Sequence, residues 1–312
     1  MRRTLRLSTP VLLRIRYFVS SIKELDLLPT RTEVPMPLSA RERFAQLVSK
    51  PEEELDLAEA ALLIAQEEQP ELDVAVYLRR LDDLAAAVRA RLPESPTSAD
   101  IIQSLNIRLF QEEGLTGNES EYYDPRNSFL NQVLDRKQGI PITLSVIYLE
   151  VGHRLGLPLV GVGFPGHFLV KYIGADGEMV LDPFSGGITL SHEELTQRLQ
   201  RMYGEANPFL SQVPQLLAPV SKKEILVRML RNLKGIYLQQ NDFTRALAAI
   251  DRILLVDPSL ATEVRDRGAV HQRLGHIQAA VQDFRRYLQM APDSEDAEAI
   301  RALIPRMVAQ LN

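Results

Sequence analysis

Cysteine is absent from all 312 positions. Disulfides, thiolate zinc sites, iron–sulfur clusters and thiol catalysis are therefore excluded within this chain. A reducing compartment suits such a composition, and a cytoplasmic location is the expectation. An excess of positive charge is missing too. The formal net charge is −5, which argues against a general nucleic-acid binder. No uninterrupted apolar run approaches the ~20 residues of a membrane span, so no membrane partner is expected. Acids are absent from the first 23 residues, which hold Arg2, Arg3, Arg6, Arg14, Arg16 and Lys23. The apolar run Pro10 to Leu13 is too short for a secretory signal. Residues 1–35 are expected to be a disordered leader, and Met36 opens a plausible domain start.

What is present is ordinary globular material, 45% hydrophobic and 25% charged. The length suggests two or three units. Helical spacing begins at Ser39, with Phe44, Leu47 and Val48 on one face. After Pro51, the acids Glu52, Glu53 and Glu54 are expected in the first turn of a second helix through Leu55, Ala58, Leu62 and Ala65. A third helix spans about Asp73 to Leu92, and a fourth follows the candidate caps Ser95, Thr97, Ser98 and Asp100. Tyr122 and Tyr123 are read as loop aromatics that cover the core.

From Asn127 the pattern changes. Asn127 or Ser128 is expected to cap a helix that stops at Gly139 in a left-handed conformation. Pro141 then suits a first helical position. Its helix, to about Leu155, is apolar on most sides and is expected inside the domain. Pro158–Phe164, Phe168–Tyr172 and Glu178–Leu181 read as strands, and Ser191 as the cap of a further helix. Met202 to Val220, with three prolines, reads as a linker.

A repeat closes the chain. Asp257-Pro258-Ser259 and Ala291-Pro292-Asp293 lie 34 residues apart, as do Ala246 and Ala280, and Ile250 and Phe284. That is the tetratricopeptide period of helix, turn and helix. Gly268 takes the small-residue position of the second repeat, and Lys234 stands there in the first. A last helix containing Leu303 is expected to cap the array, with Pro305 kinking it.

Two polar residues stand out in apolar surroundings: His167, after Pro165-Gly166 at a strand start, and Asp182, at a strand end before Pro183. His192, His271 and His276 show no metal-ligand spacing, and no metal or cofactor is expected. The stretch GIPITLSVIYLEVGHRLGLP, then GHFLVKY, then LDPFSGG, resembles the transglutaminase-like core. Followed by tetratricopeptide repeats, it resembles the SirB family of bacterial proteins.

The resemblance implies an α+β fold: N-terminal helices, a transglutaminase-like (papain-like) core with a small antiparallel sheet, and C-terminal helical repeats. The expected division is 36–200, a linker at 201–220, and repeats at 221–312. In such enzymes a Cys at the start of the central helix attacks an amide, a His takes its proton and an Asp orients the His. His167 and Asp182 match the second and third roles. The nucleophile would fall near Pro141 to Thr143, where no thiol stands. The expectation is a non-catalytic module that binds a protein or peptide through its repeats. The alternative is a hydrolase or acyltransferase using Thr143 or Ser145 with His167 and Asp182.

Overall fold

The computed structural model describes residues 38–205 and 208–309, so the basic leader lies outside the described residues. Ser39 opens α1 (Ala40–Val48) with a reciprocal cap: its hydroxyl takes the Glu42 N–H while Glu42 takes the Ser39 N–H. The acidic run is not the start of α2. Glu52–Glu54 forms a separate 3₁₀ turn, and α2 (Leu57–Glu68) begins on Asp56, which takes the Glu59 N–H. Leu55 separates the two because its extended backbone buries its side chain, and that burial outweighs helix continuation. α3 (Val74–Arg89) follows, then α4 (Ser98–Asn106), capped by Thr97 and Asp100 and prolonged by a π-helical turn at Ile107–Glu112.

Neither Asn127 nor Ser128 caps a helix. Both are buried in a 3₁₀ turn (Pro125–Ser128) ahead of α5 (Leu130–Arg136), and the Asn127 amide donates to the Glu121 carbonyl at 2.7 Å. Lys137, at φ 62°, makes the left-handed stop expected of Gly139. Gly139 lies instead in β2 (Gln138–Gly139), paired in parallel with β1 (Thr116–Gly117). A Cβ there would sit 2.9 Å from Val133, so glycine is required by close packing rather than by a turn.

α6 (Pro141–Arg154) is buried without interruption from Pro141 to Gly152. It packs against α2, α3 and α5 and against the sheet. Two-sided burial explains its all-round apolarity.

The sheet comprises β3 (Leu159–Val162), β4 (Leu169–Gly174), β5 (Gly177–Asp182), β6 (Ile188–Leu190) and β7 (Pro219–Val220). Its order is β6-β5-β4-β3-β7, antiparallel throughout. Alternation along the strands sends Phe168, Val170, Tyr172 and Leu181 into the main core. Val162, Leu169 and Val180 face a second, smaller core closed by Leu195 and Leu199 of α7 (His192–Tyr203).

The proline-rich stretch read as a linker holds a 3₁₀ turn (Pro208–Gln212), α8 (Val213–Leu216) and β7. β7 joins the free edge of β3, with Pro219 opposite Val162. An edge strand tolerates proline because its outer N–H need not pair, which is why composition concealed it.

The repeats are α9 (Lys222–Gln239) with α10 (Phe243–Val256), then α11 (Ala261–Arg273) with α12 (Ile277–Met290), and a closing α13 (Ala297–Val308). A Cβ on Gly268 would come within 3.0 Å of Phe284, which accounts for the small residue there. Lys234, at the same position one repeat earlier, reaches Glu263 at 2.7 Å and Asp266 at 2.9 Å on α11.

So short an array buries little surface alone. Here α10 packs on α1 and α9 on α2. The fully buried Arg252 donates to the Ile64 carbonyl at 2.8 Å, and the Tyr237 hydroxyl donates to Glu68 at 2.6 Å. The first repeat therefore finds its missing neighbour in the N-terminal helices.

Candidate functional site

The turn between β3 and β4 places His167. Phe164 is buried in the smaller core and Phe168 in the main one, so the short connection is pinned at both ends. Gly166 turns the chain at φ 65°, where a Cβ would also strike the Met202 sulfur at 2.7 Å. The His167 N–H closes the turn on the Phe164 carbonyl at 3.0 Å. The imidazole thus stands at the sheet edge of a cleft of about 190 Å³, which it shares with Arg198, Arg201 and Met202.

Asp182 ends β5, where Pro183 forces the chain into a 3₁₀ turn (Pro183–Ser185). Its side chain is fully buried and fully engaged. His167 Nε2 lies 2.8 Å from Oδ1, which also accepts the Phe184 N–H at 3.1 Å. Oδ2 accepts from the Ser185 hydroxyl and from Arg198, each at 2.8 Å. Burial alone would raise its pKa. The hydrogen bonds and charges of His167, Arg198 and Ser185 outweigh it and hold the carboxyl down at about 2. Asp182 is therefore ionised at neutral pH and accepts a proton-bearing Nε2. In neutral imidazole that leaves Nδ1 as the basic nitrogen. The Phe184 ring meets the imidazole edge-on at 5.7 Å.

The hydroxyls named from sequence point elsewhere. Thr143 is buried in the first turn of α6. Its oxygen accepts the Ile140 N–H at 3.1 Å, and its proton goes to the Asn127 carbonyl at 2.8 Å or that of Ile140 at 3.1 Å. This is helix capping, and it consumes the hydroxyl. Ser145 is buried one turn in from the start of α6 and donates to the Phe168 carbonyl at 3.4 Å, which ties α6 to the backbone beside His167. Among the described residues no hydroxyl hydrogen-bonds the imidazole. The arrangement can orient an imidazole, but among the described residues no nucleophile meets it.

Three participants were not singled out from sequence. Arg198 follows Glu194 by one helical turn and reads as half of a surface pair, whereas it reaches inward to Asp182. Ser185 lies three residues after Asp182 in the DPFS turn, a local side-chain bond that the spacing does signal. Arg228 comes from α9 of the repeats and donates to the His167 carbonyl at 2.6 Å. Nothing local in sequence marks that contact. Tyr122 and Tyr123, read as covers of the core, are instead exposed at 37% and 64%, packed edge-on against each other, and Tyr122 lies near enough to Arg228 for each to perturb the other's ionisation.

The profile of the Transglutaminase-like superfamily matches residues 75–231, and a tetratricopeptide repeat profile matches 233–305, so the two meet inside α9. A UPF0162 protein of Xylella fastidiosa is 42% identical over 255 residues, covering 82% of this chain and 91% of the relative. A UPF0162 protein of Vibrio cholerae is 33% identical over 256 residues, covering 80% and 92%. Protein SirB1 of Salmonella typhimurium is 26% identical over 225 residues, covering 72% and 82%.

Proposed function

The chain belongs to the Transglutaminase-like superfamily, with UPF0162 proteins and SirB1 among its relatives, and on that premise we propose that it is a non-catalytic protein-interaction module. The transglutaminase-like unit, residues 36–200, serves as a scaffold. The repeats, residues 221–312, present the surface that a protein or peptide partner binds, and the protein works in the cytoplasm.

One observation carries this reading. The start of the central helix offers Pro141, Ile142 and Thr143, and the only hydroxyl among them is spent on backbone groups. Attack on an amide needs a nucleophile within hydrogen-bond reach of its base, about 2.6–3.2 Å. His167 and Asp182 then act as a buried polar clasp between β4, β5 and α7. No helix among the described residues is long and apolar enough to cross a membrane, which fits a module that meets its partner in water.

The test is turnover. Full-length protein and its His167→Ala variant would be incubated with a glutamine-containing peptide and an activated ester, and ammonia or alcohol release followed. No His167-dependent release is expected. Release that disappears in His167→Ala would instead establish the hydrolase or acyltransferase reading, with Thr143 or Ser145 brought to His167 by rearrangement of α6.

A further inference from the structure

Arg228 breaks a pattern. Among the described residues, the other arginines that are not exposed have a carboxylate within 4.0 Å: Arg198 has Asp182, Arg252 has Glu67, Arg267 has Asp283, and so on. Arg228 has none. Its Nη2 donates to two carbonyls, His167 at 2.6 Å and Phe164 at 3.4 Å, and its guanidinium lies 5.4 Å from the centre of the Phe168 ring. These contacts fix the fork without neutralising it. A half-buried guanidinium loses hydration, and Arg228 recovers only part of that loss from carbonyl oxygens and a ring face. Burial accordingly lowers its pKa.

The side chain lines a groove of about 590 Å³ at the junction of the sheet and the repeats. Phe168, Val220, Val227, Val256 and Leu260 give it apolar walls. Lys223 and Arg231 share the groove with Arg228. Its acids keep their charge but are turned to local caps: Glu224 to Ser221 at 2.7 and 2.8 Å, and Asp257 to Ser259 at 2.9 and 2.6 Å. Arg231 is held by Glu263 at 2.7 Å. Among the described residues, Arg228 and Lys223 are the groove's cations that no carboxylate pairs.

We propose that this groove is where the repeats take hold of their partner, and that the occupant is a short acidic–hydrophobic segment of another protein. Its carboxylate pairs with the Arg228 fork, and an adjoining apolar side chain lies on the Phe168, Val227 and Leu260 wall. Arg228 Nη2 is spent on the two carbonyls, so Nη1 is the terminal nitrogen left to donate a charge-assisted hydrogen bond to that carboxylate. The volume lies in the range of pockets that seat a few side chains. The basic residues 1–35 are the wrong charge for it.

This inference rests on the repeats being a protein-binding module, and the experiment separates the two. The full chain is used to select from a random heptapeptide library. The enriched sequences are expected to share Asp or Glu beside Leu, Ile, Val or Phe. A synthetic consensus peptide is then titrated by fluorescence polarisation. Arg228→Met should weaken binding about tenfold or more. Changing the peptide's Glu to Gln should weaken wild type by a similar factor and leave Arg228→Met unaffected, which marks direct pairing and not a lost structural prop.

If nothing is enriched, both this inference and the protein-binding reading fall. If peptides bind but Arg228→Met or the Glu-to-Gln change has no effect, only the groove assignment falls. Should Arg228→Met fail to fold, Lys223→Glu at the rim takes its place. It should weaken the acidic peptide and favour its Lys-substituted counterpart, and unchanged affinities for both would overturn the assignment.

Discussion

Asp182 in the transglutaminase-like unit and Glu263 in the repeats are both buried carboxylates, each gripped by two basic side chains. Asp182 holds His167 and Arg198; Glu263 holds Arg231 and Lys234, each at 2.7 Å. The difference lies in what the partners can do when the carboxylate is gone. The Arg231 side chain is 43% exposed and can turn to water. His167 and Arg198 are 16% and 24% exposed, and Asp182 also satisfies a backbone N–H and a hydroxyl. Only the Asp182 cluster includes an imidazole, the side chain that exchanges protons near neutrality. A buried carboxylate by itself thus marks neither chemistry nor its absence; the company it keeps does.

The contrast can be broken experimentally. Asp182→Ala should cost the most, about 3–5 kcal/mol in urea denaturation, because it strands an arginine, an imidazole and a backbone donor together. A loss below about 1 kcal/mol would erase the distinction from the repeat cluster. Glu263→Ala should cost less, about 2–3 kcal/mol, since Arg231 can rehydrate and Lys234 keeps Asp266 at 2.9 Å.

Acid sharpens the comparison. The Asp182 carboxyl is depressed from 3.8 to about 2, so its contribution is fully present above 3.8 and is lost as the pH falls through about 2. Stability should drop by up to about 2 kcal/mol across that window. Asp182→Asn should abolish this share of the acid slope and Glu263→Gln should leave it in place, as read from urea midpoints at successive pH values. Smallest of all, Thr143→Val should cost about 1 kcal/mol by leaving the Asn127 carbonyl without its donor. It should leave peptide binding unchanged, whereas a loss of binding would tie Thr143 to function.

The residues legible in advance share one property: their signal is local. Ser191 and, among four candidates, Thr97 were readable as caps because a capping hydroxyl and its acid sit three residues apart. His167 and Asp182 were readable because polar residues stand out against apolar strands. Gly139 misled because glycine serves a left-handed stop and a close packing contact equally well, and Lys137 took the stop. Pro219 misled because proline argues against strands except at an edge. Arg198 and Arg228 were illegible: each lies on an amphipathic helix at a position that reads as solvent-facing, and only the packed neighbours turn them inward.

Sequence alone determined the buried central helix, the 34-residue period and the absence of a thiol, since each follows from periodicity or composition along the chain, while the α+β layout came from the family resemblance of its motifs. Tertiary structure decided where Thr143 sends its proton, which arginine holds Asp182, how α10 lays Arg252 against α2, and that Arg228 stands at a groove without a counterion. Those are contacts between segments far apart in sequence, and their energies depend on which groups burial has already separated from water.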